Sequence, residues 1–373
     1  MAGRTLSAAL TAAALLVGAA SATSAAESSD TKGFVVAHLA FASHDGGQAD
    51  CPDGLNPSAK DIYLATLPPA ERERLSKPEA RKELFALLYA PGGNLGPGKR
   101  THNRCADPAD FDSPPLKTVQ NTVADGMSLD GTAGPTCAHE RFTGVDGKSR
   151  VDNQLWRALG CIRGWRHGAD FEKSMQDNIK VGEYTILIEI KGLKDPKNDA
   201  HVKVGIFASG DPPPVDAQGN VLPDASLQVA DDSRYRAVAD GTVVDGVVTT
   251  EPVDLRLKYR SAGYLDTDFY LRAARLRLEL QPDGTARGII GGYYDVETFY
   301  DGFVRQAQVV TSVLLGYSCP AVYAALNRMA DGYPDSNGKC TAISTALRLD
   351  AAPAFVIHPR DEKPKTADAG ATR

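Results

Sequence analysis

The chain has 373 residues, with 41 Lys and Arg against 47 Asp and Glu, for a formal net charge of −6. Charges of both signs are interspersed, which argues against nucleic acid or an anionic membrane surface as a partner. The length is ample for one large core or two smaller ones. No segment beyond the N-terminal leader is apolar over the roughly 20 residues that a bilayer span needs.

Arg4 is the only charged residue ahead of Glu27. Residues 6–20 form a short apolar run, and small residues follow it, with cleavable stretches ending at Ala22 and Ala26. This pattern predicts a signal peptide over residues 1–26 and a secreted or periplasmic protein. Six cysteines lie beyond it: Cys51, Cys105, Cys137, Cys161, Cys319 and Cys340. An even count in an exported chain predicts disulfides. Pairing of chain neighbours is the expectation: Cys51 with Cys105, Cys137 with Cys161, Cys319 with Cys340. No two cysteines form a C-x-x-C pair, which argues against zinc, thioredoxin-like and c-type haem chemistry.

Residues 27–180 read as irregular with helical pieces, stapled by four of the cysteines. Ser76 is placed to cap a helix, with Glu79 at the capping-box position. Leu84, Leu87 and Leu88 would form its apolar stripe, and Pro91, Gly92 and Gly93 would stop it.

Within this zone residues 142–156 stand out. Asp146, Asp152 and Asn153 carry oxygen ligands on a glycine-punctuated loop, with Asp130 upstream. Calcium takes 6–8 oxygens, often from such loops, so calcium is the candidate cofactor. The same residues suit turns, and Asn153, Gln154 and Arg157 would equally make a polar network fixing the loop against a sheet. Trp156 and Trp165 flank Cys161 and read as core packing.

Residues 181–298 read as β structure. Residues 184–190 are an apolar run rich in β-branched side chains, and residues 201–207, 253–259 and 274–280 alternate with period two. Pro282, Asp283 and Gly284 form a turn signal, and residues 286–294 return as a partner strand. Turn-separated strands of this kind favour an antiparallel sandwich. Aromatic rings cluster towards the end of the zone. Tyr264, Tyr293 and Tyr294, with Asp266 and Asp268 as a polar rim, are candidate ligand-binding residues for stacking against a sugar. Core packing would explain the same rings.

Residues 299–358 read as helical and then extended. Residues 303–315 carry apolar side chains at helical spacing. Ser318 is a candidate cap for a second helix with Pro320 in its first turn, and residues 354–357 would form a final strand. Residues 359–373 are charged and alanine-rich, without an apolar face, and read as a disordered tail.

No catalytic motif survives inspection. Gly316, Tyr317 and Ser318 begin like a nucleophile elbow, but Pro320 stands where its second glycine belongs. His139 and Glu140 lack the second histidine of a zincin helix. A glycosidase needs two carboxylates at defined separation, which Glu183, Glu189 and Glu279 do not reveal in one dimension.

The fold expected is mostly β with helical additions (α+β). It comprises an antiparallel β-sandwich core, a disulfide-stapled N-terminal region and a small C-terminal helical element. The function expected is a non-catalytic secreted or periplasmic binding module, with a carbohydrate or an envelope protein as partner. A secreted carbohydrate-active hydrolase and a structural component of a cell-envelope assembly are the alternatives.

Overall fold

The computed structural model describes residues 30–88, 102–129, 137–261, 265–306 and 316–359. The leader and the charged tail expected at the two ends therefore lie outside the described residues, apart from Pro359.

The architecture is α+β with a sandwich-like antiparallel core. In chain order the first region gives β1 (Thr31–Phe41), α1 (Ala59–Ala65), α2 (Pro69–Ser76) and α3 (Arg81–Leu88), then β2 (Val123–Ala124), β3 (Thr143–Gly144), α4 (Gln154–Leu159) and α5 (Asp170–Lys180). The sheet region gives β4 (Ile186–Lys191), β5 (Asp199–Ala208), β6 (Ala225–Gln228), β7 (Arg236–Val244), β8 (Val247–Thr250), β9 (Val253–Ser261), β10 (Leu265–Leu280) and β11 (Ala286–Asp295). Last come α6 (Val296–Tyr300), α7 (Cys319–Met329), β12 (Gly332–Pro334) and β13 (Cys340–Ile357).

Both layers of the sandwich belong to one 11-stranded sheet with the path β1-β4-β5-β7-β8-β10-β11-β13-β12. That path returns on itself, because β1 also pairs with β13 along Phe34–Phe41. Closure leaves no open edge along this ring of strands, which removes the exposed pairing groups that an open sheet must protect. Period-two alternation sends Ile188, Val204, Leu276, Leu278, Ile290 and Leu347 into one shared core. β11 lies along one edge of β10, and the other edge serves two partners, β9 with its first half and β8 with its second. The handover falls at Ala273, whose φ of 46° marks a bulge, with its amide donating to Asp254 Oδ1 at 3.0 Å.

One end of the core is filled by rings. Phe299 on α6 and Phe303 on the wide helical turn that follows stack at 5.1 Å, and Phe303 meets Phe269 at 5.0 Å and Tyr259 at 5.4 Å. Trp165 and Phe171 stack at 4.7 Å beside Phe41. Offset and edge-on rings at such separations add to the burial of their area.

The first region wraps the outer face of the sheet. Met127 packs on Ala42, Ile289 and Ala346. Gly291 permits that approach, since a Cβ there would lie 2.5 Å from Met127 Cγ.

The structure corrects the expected cysteine pairing. The bonds are Cys51–Cys161, Cys105–Cys319 and Cys137–Cys340. Only the first stays inside the N-terminal region. The second reaches α7 and the third the start of β13. The reason is the closed sheet: β1 beside β13 brings early loops against late elements, so sequence neighbours are not spatial neighbours. Two further expectations change, and one is left untested. Ser76 ends α2, its Oγ donating to Arg72 O at 2.6 Å, and α3 starts beyond a turn through Pro78. Residues 307–315 of the expected helix lie outside the described residues. β13 is 18 residues long rather than a short closing strand.

Candidate ligand-binding cleft

Of the four residues expected to hold calcium, the three that are described, Asp146, Asp152 and Asn153, are each engaged by the protein's own groups. Asp152 is 3% exposed; its Oδ2 accepts from the Leu129 amide at 2.9 Å, and Arg141 Nε lies 2.9 Å from Oδ1. Asn153 caps α4 through Oδ1, and its Nδ2 donates to Ala42 O at 3.0 Å and Asp125 O at 2.8 Å. Asp146 faces Lys148 Nζ at 2.9 Å and Arg277 Nη1 at 3.4 Å. The Lys148 side chain, first among its partners, holds the Asp146 carboxyl below its ordinary range. Asp130 lies outside the described residues. Among the described residues no group of three His, Cys, Asp or Glu is placed to hold a metal ion. The polar-network reading of this loop matches what is present. Gln154 Nε2 donates to Glu140 O at 2.8 Å, and Arg157 Nε donates to Gln154 Oε1 at 2.9 Å.

The aromatic surface also needs correction. Tyr293 and Tyr294 are 1% and 0% exposed. β11 is covered on both faces, so consecutive tyrosines are both buried. Tyr294 points into the shared core and donates to the main-chain oxygen of Asp268. Tyr293 points outward onto Leu129, Ala342 and Tyr333. Asp268 accepts from Tyr235 at 2.6 Å and faces Arg256 at 3.4 Å. Asp266 is near Arg260 at 3.7 Å on the exposed surface, and Tyr264 lies outside the described residues. Neither tyrosine is available for stacking on a sugar.

A concave site does exist elsewhere. A cleft of about 530 Å³ opens between the outer face of the sheet and the first turn of α5. Its floor and walls include His38 from β1, Arg277 from β10, Arg348 from β13, Glu172 from α5 and Asp125 from the wrapping region. Arg287, Glu279, Asp350 and His167 stand at the rim. β10, β11 and β13 place Arg277, Ile289 and Arg348 on one rung, because Arg277 pairs with Ile289 and Ile289 with Arg348. Two guanidiniums thus flank one apolar residue across neighbouring strands, with their Cα atoms roughly 10 Å apart.

Glu172 organises one wall. His38 Nε2 lies 3.3 Å from its Oε1, and His167 Nδ1 lies 3.2 Å from its Oε2. The Gly168 amide donates to Oε2 at 2.8 Å. The His38 hydrogen bond is the largest influence, and together these contacts hold the Glu172 carboxyl down at about 2. Its place in the first turn of α5 adds the attraction of the helix N-terminus for negative charge. Asp125 goes the other way: burial raises its carboxyl above the ordinary value, against the pull of Arg348 and Arg277. One cleft therefore holds two carboxyls driven in opposite directions.

The sequence carried weak signals for this site. Arg277 and Glu279 were visible as the wet face of an alternating strand, but His38 lies in the zone expected to be irregular with helical pieces, where the structure has β1. Nothing in one dimension tied them to Glu172 or Arg348. Among the described residues no helix is long and apolar enough to cross a membrane. No protein-family model, no curated protein and no solved structure matches the chain.

Proposed function

We propose that this protein is a non-catalytic binding module working outside the cytoplasm, with its ligand in the cleft between α5 and the outer sheet face. The observation that carries this reading is the convergence of hydrogen-bonding side chains from β1, β10, β11, β13, α5 and the wrapping region on one cleft. Its volume falls in the range of small-molecule sites, about 300–1,000 Å³. A carbohydrate suits it, because alternating donors and acceptors match a ring of hydroxyls. Three disulfides support an oxidising compartment. The test is a thermal-shift screen of the oxidised protein against neutral and charged mono- and disaccharides. A ligand at 100 times its Kd stabilises the folded state by about 2.7 kcal/mol. A raised melting point that Asp125→Asn reduces is the expected result; no shift with any sugar would sink the reading.

The divergence of Asp125 and Glu172 favours one second reading, a carbohydrate-active hydrolase. Paired carboxyls pushed apart by their surroundings are how acid and base roles are assigned in such enzymes. Release of reducing sugar from a glycan panel, abolished by Asp125→Asn, would establish it. Binding without turnover would leave the non-catalytic module.

A further inference from the structure

The chemistry of the cleft's cations narrows the ligand further, on the footing of the binding reading above. Several arginines of this protein are held tightly at close range: Arg74 on Glu71 at 2.6 Å, Arg234 on Asp232 at 2.7 Å and Arg166 on Asp50 at 2.8 Å. Those are the distances of good charge-assisted hydrogen bonds, about 2.7–2.9 Å. The cleft arginines meet their carboxylates at greater range. Arg277 is 3.4 Å from Asp146, Arg287 is 3.4 Å from Asp350 and Arg348 is 3.5 Å from Glu172. The closest contact of Arg348 among these partners is instead His167 Nδ1, at 3.0 Å.

Their carboxylate partners do not depend on them. Asp146 already holds Lys148 at 2.9 Å, and Glu172 has His38 on one oxygen and the Gly168 amide on the other. Asp350 has a half-exposed side chain that water can serve. Moving a guanidinium away from these carboxylates leaves none of them buried and bare, which is the costly outcome in breaking an ion pair. The cleft's own negative charge is also limited. Glu172 is engaged on both oxygens, burial disfavours charge on Asp125, and Glu279 is exposed at the rim.

We infer that the cleft takes an oxyanion-bearing ligand, an acidic sugar or a sugar phosphate, with Arg277 and Arg348 leaving their present contacts to clamp its anionic group over Ile289. Planar guanidiniums match a carboxylate or phosphate with paired hydrogen bonds, and two of them on one rung present that chemistry from both sides. The hydroxylated remainder of the ligand would meet Asp125, Glu279 and Asp350.

The test is titration calorimetry of the oxidised protein with three probes: digalacturonate, lactose and inorganic phosphate. Wild type is compared with Arg348→Gln, Arg277→Gln and the surface control Arg74→Gln, after melting curves confirm that each variant is folded. Arg277→Gln serves should Arg348→Gln fail to fold. The expected result is digalacturonate or phosphate binding at least about tenfold tighter than lactose, since hydrogen bonds to charged groups exceed neutral ones. That binding weakens by about tenfold or more in the cleft variants, is unchanged in Arg74→Gln, and falls as salt rises. Digalacturonate binding without phosphate binding assigns an acidic sugar; phosphate binding without digalacturonate assigns a phosphorylated one. Lactose binding as tight as digalacturonate, insensitive to salt and to both arginine variants, overturns the anion inference and leaves the carbohydrate cleft standing. Binding of none of the three probes overturns the inference and the cleft reading together.

Discussion

The closed sheet and the region wrapped around it are stabilised by different means. The sheet buries a continuous apolar interior, from Phe34 on β1 to Ala351 on β13, with rings packed at one end. The wrapping region between β1 and α5 adds Ile62, Leu75, Leu84, Leu116, Leu155 and Leu159 to that interior and also keeps a small core of its own, in which Cys51, Val119, Phe142, Val151, Trp156 and Cys161 cluster. Disulfides and side-chain-to-backbone bonds supply the rest. A sheet that closes needs little beyond its own alternation. A stretch with few regular elements must satisfy its backbone groups one at a time, and Asn153, Gln154 and Arg157 do that at the point where α4 meets the sheet.

The contrast can be broken by substitutions on either side of it. The largest effect is expected from Phe303→Ala, which removes a fully buried ring touching Phe41, Tyr259, Phe269 and Phe299. The loss should be about 3–5 kcal/mol in denaturant unfolding, felt by the whole molecule. Replacing both Cys51 and Cys161 by Ala should cost roughly 2–5 kcal/mol. Hydrogen exchange should place the damage in the wrapping region, leaving β4, β5 and β11 protected. If both changes unfold the molecule in one step with the same exchange pattern, the two regions are energetically one. Asn153→Ala should come next, at about 1–2 kcal/mol, through loss of the α4 cap and of the bonds to Ala42 and Asp125.

A change in pH dependence sharpens the boundary itself. Asp331 is buried where β12 and β13 receive the wrapping region, bonded to the amide and hydroxyl of Ser344 at 2.6 Å each. Burial, with Asp152 adding repulsion, raises its carboxyl from 3.8 to about 7. A raised folded-state value means that the folded form binds the extra proton, so this contribution is complete below about 4 and is lost as pH rises through about 7. Glu172 has the opposite sign: its contribution is present above about 4.5 and is lost as pH falls through about 2. Stability measured between pH 4 and 8 should therefore fall less steeply in Asp331→Asn than in wild type. An unchanged slope would remove Asp331 as its source.

Much of the sheet was legible because period two is a strong signal wherever one face is dry. β5, β9, the second half of β10 and the Pro282 to Thr285 turn fall where alternation and turn chemistry place them. β13 was missed for most of its length because small residues, from Ala342 to Ala354, blur the contrast between its faces. The tyrosines of β11 misled for a related reason: a strand covered on both sides shows consecutive buried rings, and sequence cannot tell these from an exposed stacking surface. The cleft was illegible because its members come from β1, α5, β10, β11, β13 and a loop, and only the closure of the sheet brings them together.

That closure also bears on how the molecule is made. β4 can cover one edge of β1, but its other neighbour, β13, lies more than 300 residues further on and must first emerge from the ribosome. Cys105 and Cys137 wait in the same way, for partners 214 and 203 residues further on. Pairings this distant in sequence make for slow folding, and a half-made chain would expose β1 and its unmet edge to other proteins. Closure of the sheet therefore comes late, once β13 is available, and until then the open edge of the first strand must be kept from pairing elsewhere.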